Sequence, residues 1–213
     1  MAYKSQPDAN DQALPILYSY RRCPYAMRAR MALRLAEMPV SIVDIDLRDK
    51  PAAMLQASPK GTVPVLCLTD GRVLDESLAI VHWALSTHDP AHWLRSWGES
   101  QATDLLRRTE GEFKRQLDRY KYASRFPDQD PIGARSAAMF ALIDPLASHL
   151  QNTAFIDGDA PGVNDLLIFP FVRQFSGVEP AWFDSTVSDV VRRWLRHWLE
   201  SELCLSAMQK TSQ

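Results

Sequence analysis

The stretch YSYRRCPYA at residues 18–26 holds the side chain with the clearest chemistry, the thiol of Cys23. Pro24 suits the first position of a helix, because the N–H that proline lacks would be unpaired there. Cys23 would then be the N-cap, where unpaired N–H groups and the positive end of the helix dipole favour a thiolate. We predict a nucleophilic Cys23 with a lowered pKa, assisted by the charges of Arg21 and Arg22. The alternative is a buried structural cysteine.

Ala26 indicates which thiol chemistry is open to Cys23. A dithiol redox protein carries a second cysteine at this position, in the Cys-x-x-Cys pattern, to resolve a mixed disulfide internally. Without it, a disulfide formed by Cys23 must be resolved by an outside thiol, and glutathione is the obvious supply. Cys67, in an apolar strand, is predicted to fill the core, and Cys204 lies in a tail helix. The widely spaced cysteines and the histidines predict neither a disulfide framework nor a metal site.

Three further segments could hold a peptide-like ligand. Pro64 begins a strand, and a cis bond there would leave the backbone N–H and C=O of Val63 open to such a ligand. Glu76 and Ser77 open a helix whose N–H groups and hydroxyl could bind a carboxylate, although plain N-capping explains them equally well. Lys50, in a loop, could pair with a second carboxylate, or it could be an ordinary solvated lysine.

Short apolar strands and amphipathic helices alternate around these residues. From Pro15 to Leu85 the order is βαβαββα, with a helix from about Pro24 to Glu37 and a strand from Val40 to Leu47. This order predicts a parallel pair joined by a crossover, followed by an antiparallel hairpin, in a small α/β sheet covered by helices.

After Leu85 the pattern contains helices alone. The segment STHDPAH at residues 86–92 is predicted to be a linker. Helical stretches follow, at about 93–122, 131–150, 163–175 and 188–201. We therefore expect a disordered tail at 1–13, an α/β domain at 14–85 and an all-helical domain at 93–213, with an aromatic-rich core.

The composition excludes several classes of protein. The 213 residues are 46% hydrophobic and 23% charged, with a net charge of −2, which is typical of a globular protein and gives no reason to expect a nucleic-acid or anionic-lipid partner. We find no membrane-length apolar run and no signal-peptide core. With the reduced cysteines, this favours a cytoplasmic protein.

Four motifs, taken in order, resemble the cytosolic glutathione transferase superfamily, and in particular its cysteine-type members, which are omega-like or glutaredoxin-like. They are YSYRRCPYA at 18–26, KGTVPVL at 60–66, DESLAI at 75–80 and GVNDLLIFP at 162–170. The resemblance implies a thioredoxin-like N-terminal domain, an all-helical C-terminal domain, glutathione as co-substrate, no metal and a possible homodimer.

The resemblance also implies roles for single residues. Cys23 would face the glutathione sulfur, and Val63, before a cis-Pro64, would pair with the cysteinyl backbone of glutathione. Glu76 would bind the γ-glutamyl ammonium and Ser77 the γ-glutamyl carboxylate. The glycyl carboxylate would lie near Lys50.

The second substrate would lie between the two domains, and the candidates for the wall of its pocket are Tyr25, Tyr120 and Tyr122. Packing is the expected role of at least one of Tyr120 and Tyr122. The family usually has Ser or Thr at the position of Gly162, and we expect this glycine to cap the following helix through its backbone. Asp165 is assigned to folding.

The expected reaction is thiol–disulfide exchange through Cys23, for example deglutathionylation of small substrates or reduction of dehydroascorbate. One alternative is a transferase that conjugates glutathione to hydrophobic electrophiles with help from a hydroxyl, for which Tyr18, Ser19 and Tyr20 lie near. Another is a binding protein that kept the fold and lost the chemistry.

Overall fold

A computed structural model describes residues 13–98 and 100–210. Residues 1–12 of the predicted N-terminal tail lie outside this range.

A four-stranded sheet forms the first half of the chain, in the order β2-β1-β3-β4. The strands are β1 Ile16–Ser19, β2 Ser41–Asp44, β3 Val65–Cys67 and β4 Val73–Leu74. β1 pairs parallel with β2 and antiparallel with β3, and β3 pairs antiparallel with β4. The predicted βαβαββα order is confirmed, although β2 ends at Asp44 instead of Leu47. Beyond it the chain turns, and the Asp46 carboxylate accepts a hydrogen bond from the backbone N–H of Arg48 at 2.9 Å.

Three helices accompany the sheet, namely α1 Pro24–Leu35, α2 Ala52–Ala57 and α3 Ser77–Thr87. α1 is almost completely buried, because it packs against α3 beside the sheet and against α8 and α11 of the second half. The chain leaves α1 through Glu37, which has a positive φ of 53°. α3 includes the first two residues of the segment predicted as a linker.

The second half of the described chain is helical. Its helices are α4 Ser100–Arg108, α5 Lys114–Lys121, α6 Pro131–Ala138, α7 Asp144–His149, α8 Val163–Ser176, α9 Pro180–Thr186, α10 Asp189–Glu200 and α11 Glu202–Ala207. A single helix over 93–122 was expected and is wrong. A 3-10 turn at Trp93–Ser96 precedes α4, and the wider π turn Thr109–Phe113 lies between α4 and α5. A second π turn, Met139–Ile143, lies between α6 and α7. The short α9 was not predicted.

Aromatic side chains fill the core of this half, as expected. Phe169 of α8 is stacked on Trp198 of α10 with ring centroids 5.6 Å apart, and Trp93 meets the same indole edge-on at 5.9 Å. Trp194 also contacts Phe169. Because these rings come from three separate segments, they fix the position of α8, whose side chains also cover α1.

Candidate functional site

A cleft of about 1290 Å³ is lined by both halves of the chain. The sheet half contributes Cys23, Tyr25, Lys50, Val63, Pro64, Glu76 and Ser77, among others. The helical half contributes Lys114, Asp118, Lys121, Tyr122, Arg125, Phe126 and Gln174. The structure therefore brings every predicted site residue together in one cleft except Tyr120.

Cys23 is the N-cap of α1, with extended backbone angles of φ −79° and ψ 124°, and Pro24 is the first helical residue. This confirms the position predicted from the order of the two residues. The half-buried thiol lies on the cleft, and its Sγ donates a weak hydrogen bond to the backbone carbonyl of Val63 at 3.8 Å. The thiol thus lies beside the backbone predicted to pair with a peptide-like ligand.

The predicted direction of the pKa shift at Cys23 is wrong. Burial raises the pKa of the thiol, because desolvation disfavours the charged thiolate. The backbone N–H groups of Ala26 and Tyr25 lower the pKa, as a helix N-terminus should, and so do the charges of Lys114 and Arg28. These effects are smaller than desolvation. The sequence correctly predicted that Cys23 lies at a helix N-terminus. It did not show that burial would raise the pKa of the thiol by more than the helix lowers it.

The peptide bond between Val63 and Pro64 is cis, as predicted. Pro64 is buried directly before β3, whereas Val63 is only partly buried and lines the cleft. Lys50 lies across from this turn, with its Nζ 3.5 Å from the position that a β-carbon on Gly61 would occupy. The proline turn and the lysine therefore belong to one wall of the cleft.

Glu76 and Ser77 lie at the start of α3, and neither makes a side-chain capping hydrogen bond. Ser77 is 4% exposed, and its hydroxyl accepts a hydrogen bond from Nη1 of Arg28 at 3.5 Å. Glu76 is exposed and accepts from Nζ of Lys60 at 2.6 Å. The alternative interpretation, that Glu76 and Ser77 only cap α3 through their side chains, therefore does not agree with the structure.

Arg28 is a polar residue behind this wall that the sequence did not single out. Its side chain is fully buried, and its guanidinium lies 4.3 Å from the centroid of the Phe171 ring. Nε donates to the backbone carbonyl of Leu167 at 2.5 Å, and Nη1 donates to Oε1 of Glu110 at 2.5 Å. Arg28 occurs among the apolar positions of α1, and this could have indicated a buried arginine. Periodicity alone, however, cannot show which arginines of a helix are buried.

The predicted tyrosines have different surroundings. Tyr25 lines the cleft and packs edge-on against Phe171 with centroids 4.9 Å apart, and burial raises its pKa to about 12. Tyr122 also lines the cleft. Tyr120, in contrast, is buried against Phe175 and donates a hydrogen bond to Glu179. Assigning Tyr120 to the pocket wall was wrong, whereas the expectation that at least one of this pair serves packing is confirmed.

Each of the three cysteines is a free thiol. Ala26, where a dithiol protein would have its second cysteine, is fully buried. Cys67 is only partly buried at the margin of the core, contrary to its predicted role as core filler, whereas Cys204 is 3% exposed. Within residues 13–98 and 100–210, no group of three His, Cys, Asp or Glu side chains could hold a metal ion. No helix in the same range is long and apolar enough to span a membrane.

The sequence and the fold match known proteins. The family profile described as glutathione S-transferase, N-terminal domain, matches residues 17–92. A maleylacetoacetate isomerase of Rhizobium meliloti is 30% identical over 74% of this chain and 79% of its own length. Glutathione S-transferase omega-1 of Rattus norvegicus is 25% identical over 76% of this chain and 68% of its own. The structure of glutathione transferase Omega 2C from Trametes versicolor superimposes with a TM-score of 0.73, covering 93% of this chain and 95% of that one, at 19% identity.

Proposed function

We propose, from the premise that this chain belongs to the glutathione transferase superfamily, that it is a glutathione-dependent thiol transferase that uses Cys23 as a single nucleophile. The observation that carries the proposal is the position of Cys23, which lies on the cleft at the N-terminus of α1, beside Val63 and with Ala26 in place of a resolving cysteine. The similarity to an omega-class relative supports it. Free cysteines favour a reducing compartment such as the cytoplasm.

Glutathione would bind along the sheet wall of the cleft. In the proposed arrangement, Val63 offers its backbone N–H and C=O to the cysteinyl unit, Ser77 and the start of α3 hold the γ-glutamyl carboxylate, and Lys50 attracts the glycyl carboxylate. Glu76 binds the ammonium group and must exchange its ion pair with Lys60 to do so. Because Lys60 and Glu76 are both largely exposed, solvent screens their attraction and the pair is easily replaced.

The reaction proceeds in two exchanges. The Cys23 thiol loses its proton to solvent, and the thiolate attacks the glutathionyl sulfur of a mixed disulfide. A Cys23–glutathione disulfide forms, and the substrate leaves as a thiolate that takes up a proton. The thiolate of a second glutathione then attacks the glutathionyl sulfur, releasing glutathione disulfide and restoring Cys23. In total, one glutathione is consumed and one glutathione disulfide is formed for each mixed disulfide that is reduced, so the number of disulfide bonds does not change.

The raised pKa of Cys23 is compatible with this chemistry. Fewer thiols are ionised at neutral pH, but a thiolate of higher basicity is intrinsically more nucleophilic, so the two effects partly offset each other. The N–H groups of Tyr25 and Ala26 are positioned to stabilise the thiolate once it forms.

A second candidate function is glutathione-dependent isomerisation or conjugation. Two observations favour it, namely the raised pKa of Cys23 and the similarity to a maleylacetoacetate isomerase. In this reaction the bound glutathione thiolate would attack the electrophile, and Cys23 would only donate a hydrogen bond to it. A serine can donate the same bond, so Cys23→Ser separates the two candidates.

The test is glutathione:disulfide exchange with 2-hydroxyethyl disulfide, followed by coupled reduction of the glutathione disulfide. We expect Cys23→Ser and Cys23→Ala to lose at least 100-fold in kcat/KM, because a hydroxyl or methyl group cannot form the mixed disulfide. Cys67→Ser is the matched control and should retain wild-type activity. Equal exchange rates for wild type and Cys23→Ser would refute the proposal. Measurable glutathione affinity without activity would instead favour a binding protein.

A further inference from the structure

The helical side of the cleft is unexpectedly basic for a surface that faces a substrate. We use the name cationic wall for five residues at the two ends of α5 and in or next to the 3-10 turn Ala123–Arg125 that follows it. They are Lys114, Lys121, Tyr122, Arg125 and Phe126. Apolar and aromatic residues usually predominate in ligand pockets, so three cations beside two aromatic rings point to a ligand of particular charge.

Within the part of the chain that the structure describes, two of these cations have no carboxylate partner. Lys114 forms an ion pair with Asp118, which also lines the cleft. Lys121 and Arg125 lie over the Tyr122 ring, 5.0 and 4.5 Å from its centroid, and neither forms an ion pair with any residue that the structure describes. Their charges are therefore available to a ligand, and both are tethered to an aromatic surface that faces the cleft.

The acids of the sheet wall do not neutralise this charge. Asp46 accepts a hydrogen bond from the backbone N–H of Arg48, and Asp75 and Glu76 are both bound to Lys60. On the same side, Arg22 and Arg48 add further positive charge to the cleft lining. A cleft in which cations outnumber acids attracts anions and raises their local concentration.

Glutathione alone does not account for the cationic wall. Its two carboxylates are assigned to Ser77 and Lys50, on the opposite wall, and the cleft volume of about 1290 Å³ exceeds the usual range of about 300–1000 Å³ for one small ligand. Space and positive charge thus remain beside the reacting sulfur for a second molecule.

We propose that the second substrate of this protein is a carboxylate-bearing aromatic or planar molecule. Its carboxylate is bound by Lys121 and Arg125, and its ring packs on Tyr122 and Phe126. Arginine binds carboxylates through paired N–H groups, and its stacking on Tyr122 presets the guanidinium for that contact. This inference rests on the proposed function, because it requires glutathione to occupy the sheet wall.

The test uses two inert glutathione thioethers that differ in one group, S-(4-carboxybenzyl)glutathione and S-(4-carbamoylbenzyl)glutathione, with dissociation constants from isothermal titration calorimetry. We expect the carboxylate to bind wild type about tenfold more tightly than the amide, since hydrogen bonds to a charged group are stronger than those between neutral groups. The preference should fall to less than about twofold in Lys121→Gln/Arg125→Gln and to an intermediate value in Arg125→Gln. Increasing salt should also reduce it.

Arg119→Gln is the matched control, because Arg119 is on the same helix but does not line the cleft. It should keep the full preference, and every variant should still bind the amide, which shows that its glutathione site is intact. Equal affinity of wild type for the two conjugates would overturn the inference and leave thiol transfer standing. A preference that persists in the double variant would also overturn it. Failure of wild type to bind either conjugate would refute the glutathione site itself, and the inference with it.

Discussion

At the scale of single residues, the ionisation of the Cys23 thiol is set by two opposing effects. The helix N-terminus lowers the pKa of the thiol, and burial raises it. The N–H groups of Tyr25 and Ala26 favour the thiolate, whereas the surrounding protein removes the water that would solvate it. Desolvation is the larger effect, so the free thiol is the dominant form at neutral pH. Its reactivity should therefore depend strongly on pH.

We predict that alkylation of Cys23 by iodoacetamide accelerates as the pH rises from 6 to 9. Because the pKa of Cys23 is raised, the thiolate fraction is small at neutral pH and increases about tenfold per pH unit. It should still be increasing at the pH where an ordinary cysteine is half ionised. The measurement is the rate of modification, by mass spectrometry, in the Cys67→Ser/Cys204→Ser background. A plateau reached below pH 7 would show that the helix N-terminus outweighs burial.

The sequence predicted the position of Cys23 but not its ionisation. The position depends on the neighbouring Pro24, whereas burial and the Val63 carbonyl come from chain segments far from residue 23. The same limit applies to the two tyrosines. Tyr120 belongs to α5 and faces the core, but Tyr122 follows the helix with φ −114° and ψ 42°, and this break could not be located from periodicity.

At the scale of elements, the start of α8 shows how one substitution changes a cap. Asp157 replaces the missing Ser or Thr side chain, because its Oδ2 accepts from the backbone N–H of Asn164 at 3.0 Å. Asp165 is fully buried and accepts from Gly162, Ile156 and Trp194. The predicted folding role of Asp165 agrees with these bonds, whereas capping by Asp157 could not be inferred from the local sequence.

We predict that Gly162→Ser, which restores the usual family residue, destabilises this protein. A β-carbon at this position would lie 2.0 Å from Oδ2 of Asp157, so the capping carboxylate would have to move. The expected loss is about 1–3 kcal/mol in the free energy of unfolding, as for other overpacked sites. Urea denaturation measures it, and Asp157→Ala/Gly162→Ser should be no less stable than Asp157→Ala. An increase in stability for the single variant would contradict this interpretation.

The π turn between α4 and α5 positions Glu110 against Arg28 of α1. Gly111 within this turn has non-helical angles of φ −90° and ψ −109°. The pair joins the helical half to the helix that carries Cys23. Neither the turn nor the pairing could be predicted, because the two residues are 82 positions apart in the chain.

We predict that Glu110→Gln destabilises the protein more than Arg28→Met does. The first change leaves a fully buried guanidinium without its counter-charge, which costs about 3 kcal/mol or more, whereas the second leaves only a partly exposed carboxylate. Urea denaturation of both variants gives the comparison. The reverse order would mean that the hydrogen bonds of Arg28 to Leu167 and Ser77 matter more than charge pairing.

At the scale of the whole molecule, α1 belongs structurally to both halves. It packs beside the sheet and against α8 and α11, and Nη2 of Arg30 also donates to the backbone carbonyl of Gln209 at 2.9 Å. The sequence predicted two regions of different composition, but it could not show that one helix joins their cores. A shared helix should make unfolding cooperative.

We therefore predict one unfolding transition in urea. All six tryptophans lie from Trp83 onward and report mainly on the helical half, while labelling of Cys23 reports on the start of α1. The two probes should give the same midpoint, with the thiol measured in the Cys67→Ser/Cys204→Ser background. Exposure of Cys23 at a lower urea concentration than the fluorescence change would show that the sheet half unfolds separately.

The most direct test of Cys23 as the nucleophile is the mass of the protein after brief treatment with glutathione disulfide at pH 8, followed by peptide mapping. We expect one glutathionyl group on wild type, located on Cys23, removed by added glutathione and absent from Cys23→Ser. Modification confined to Cys67, or an unmodified Cys23 in protein that demonstrably binds glutathione, would contradict thiol transfer through this residue.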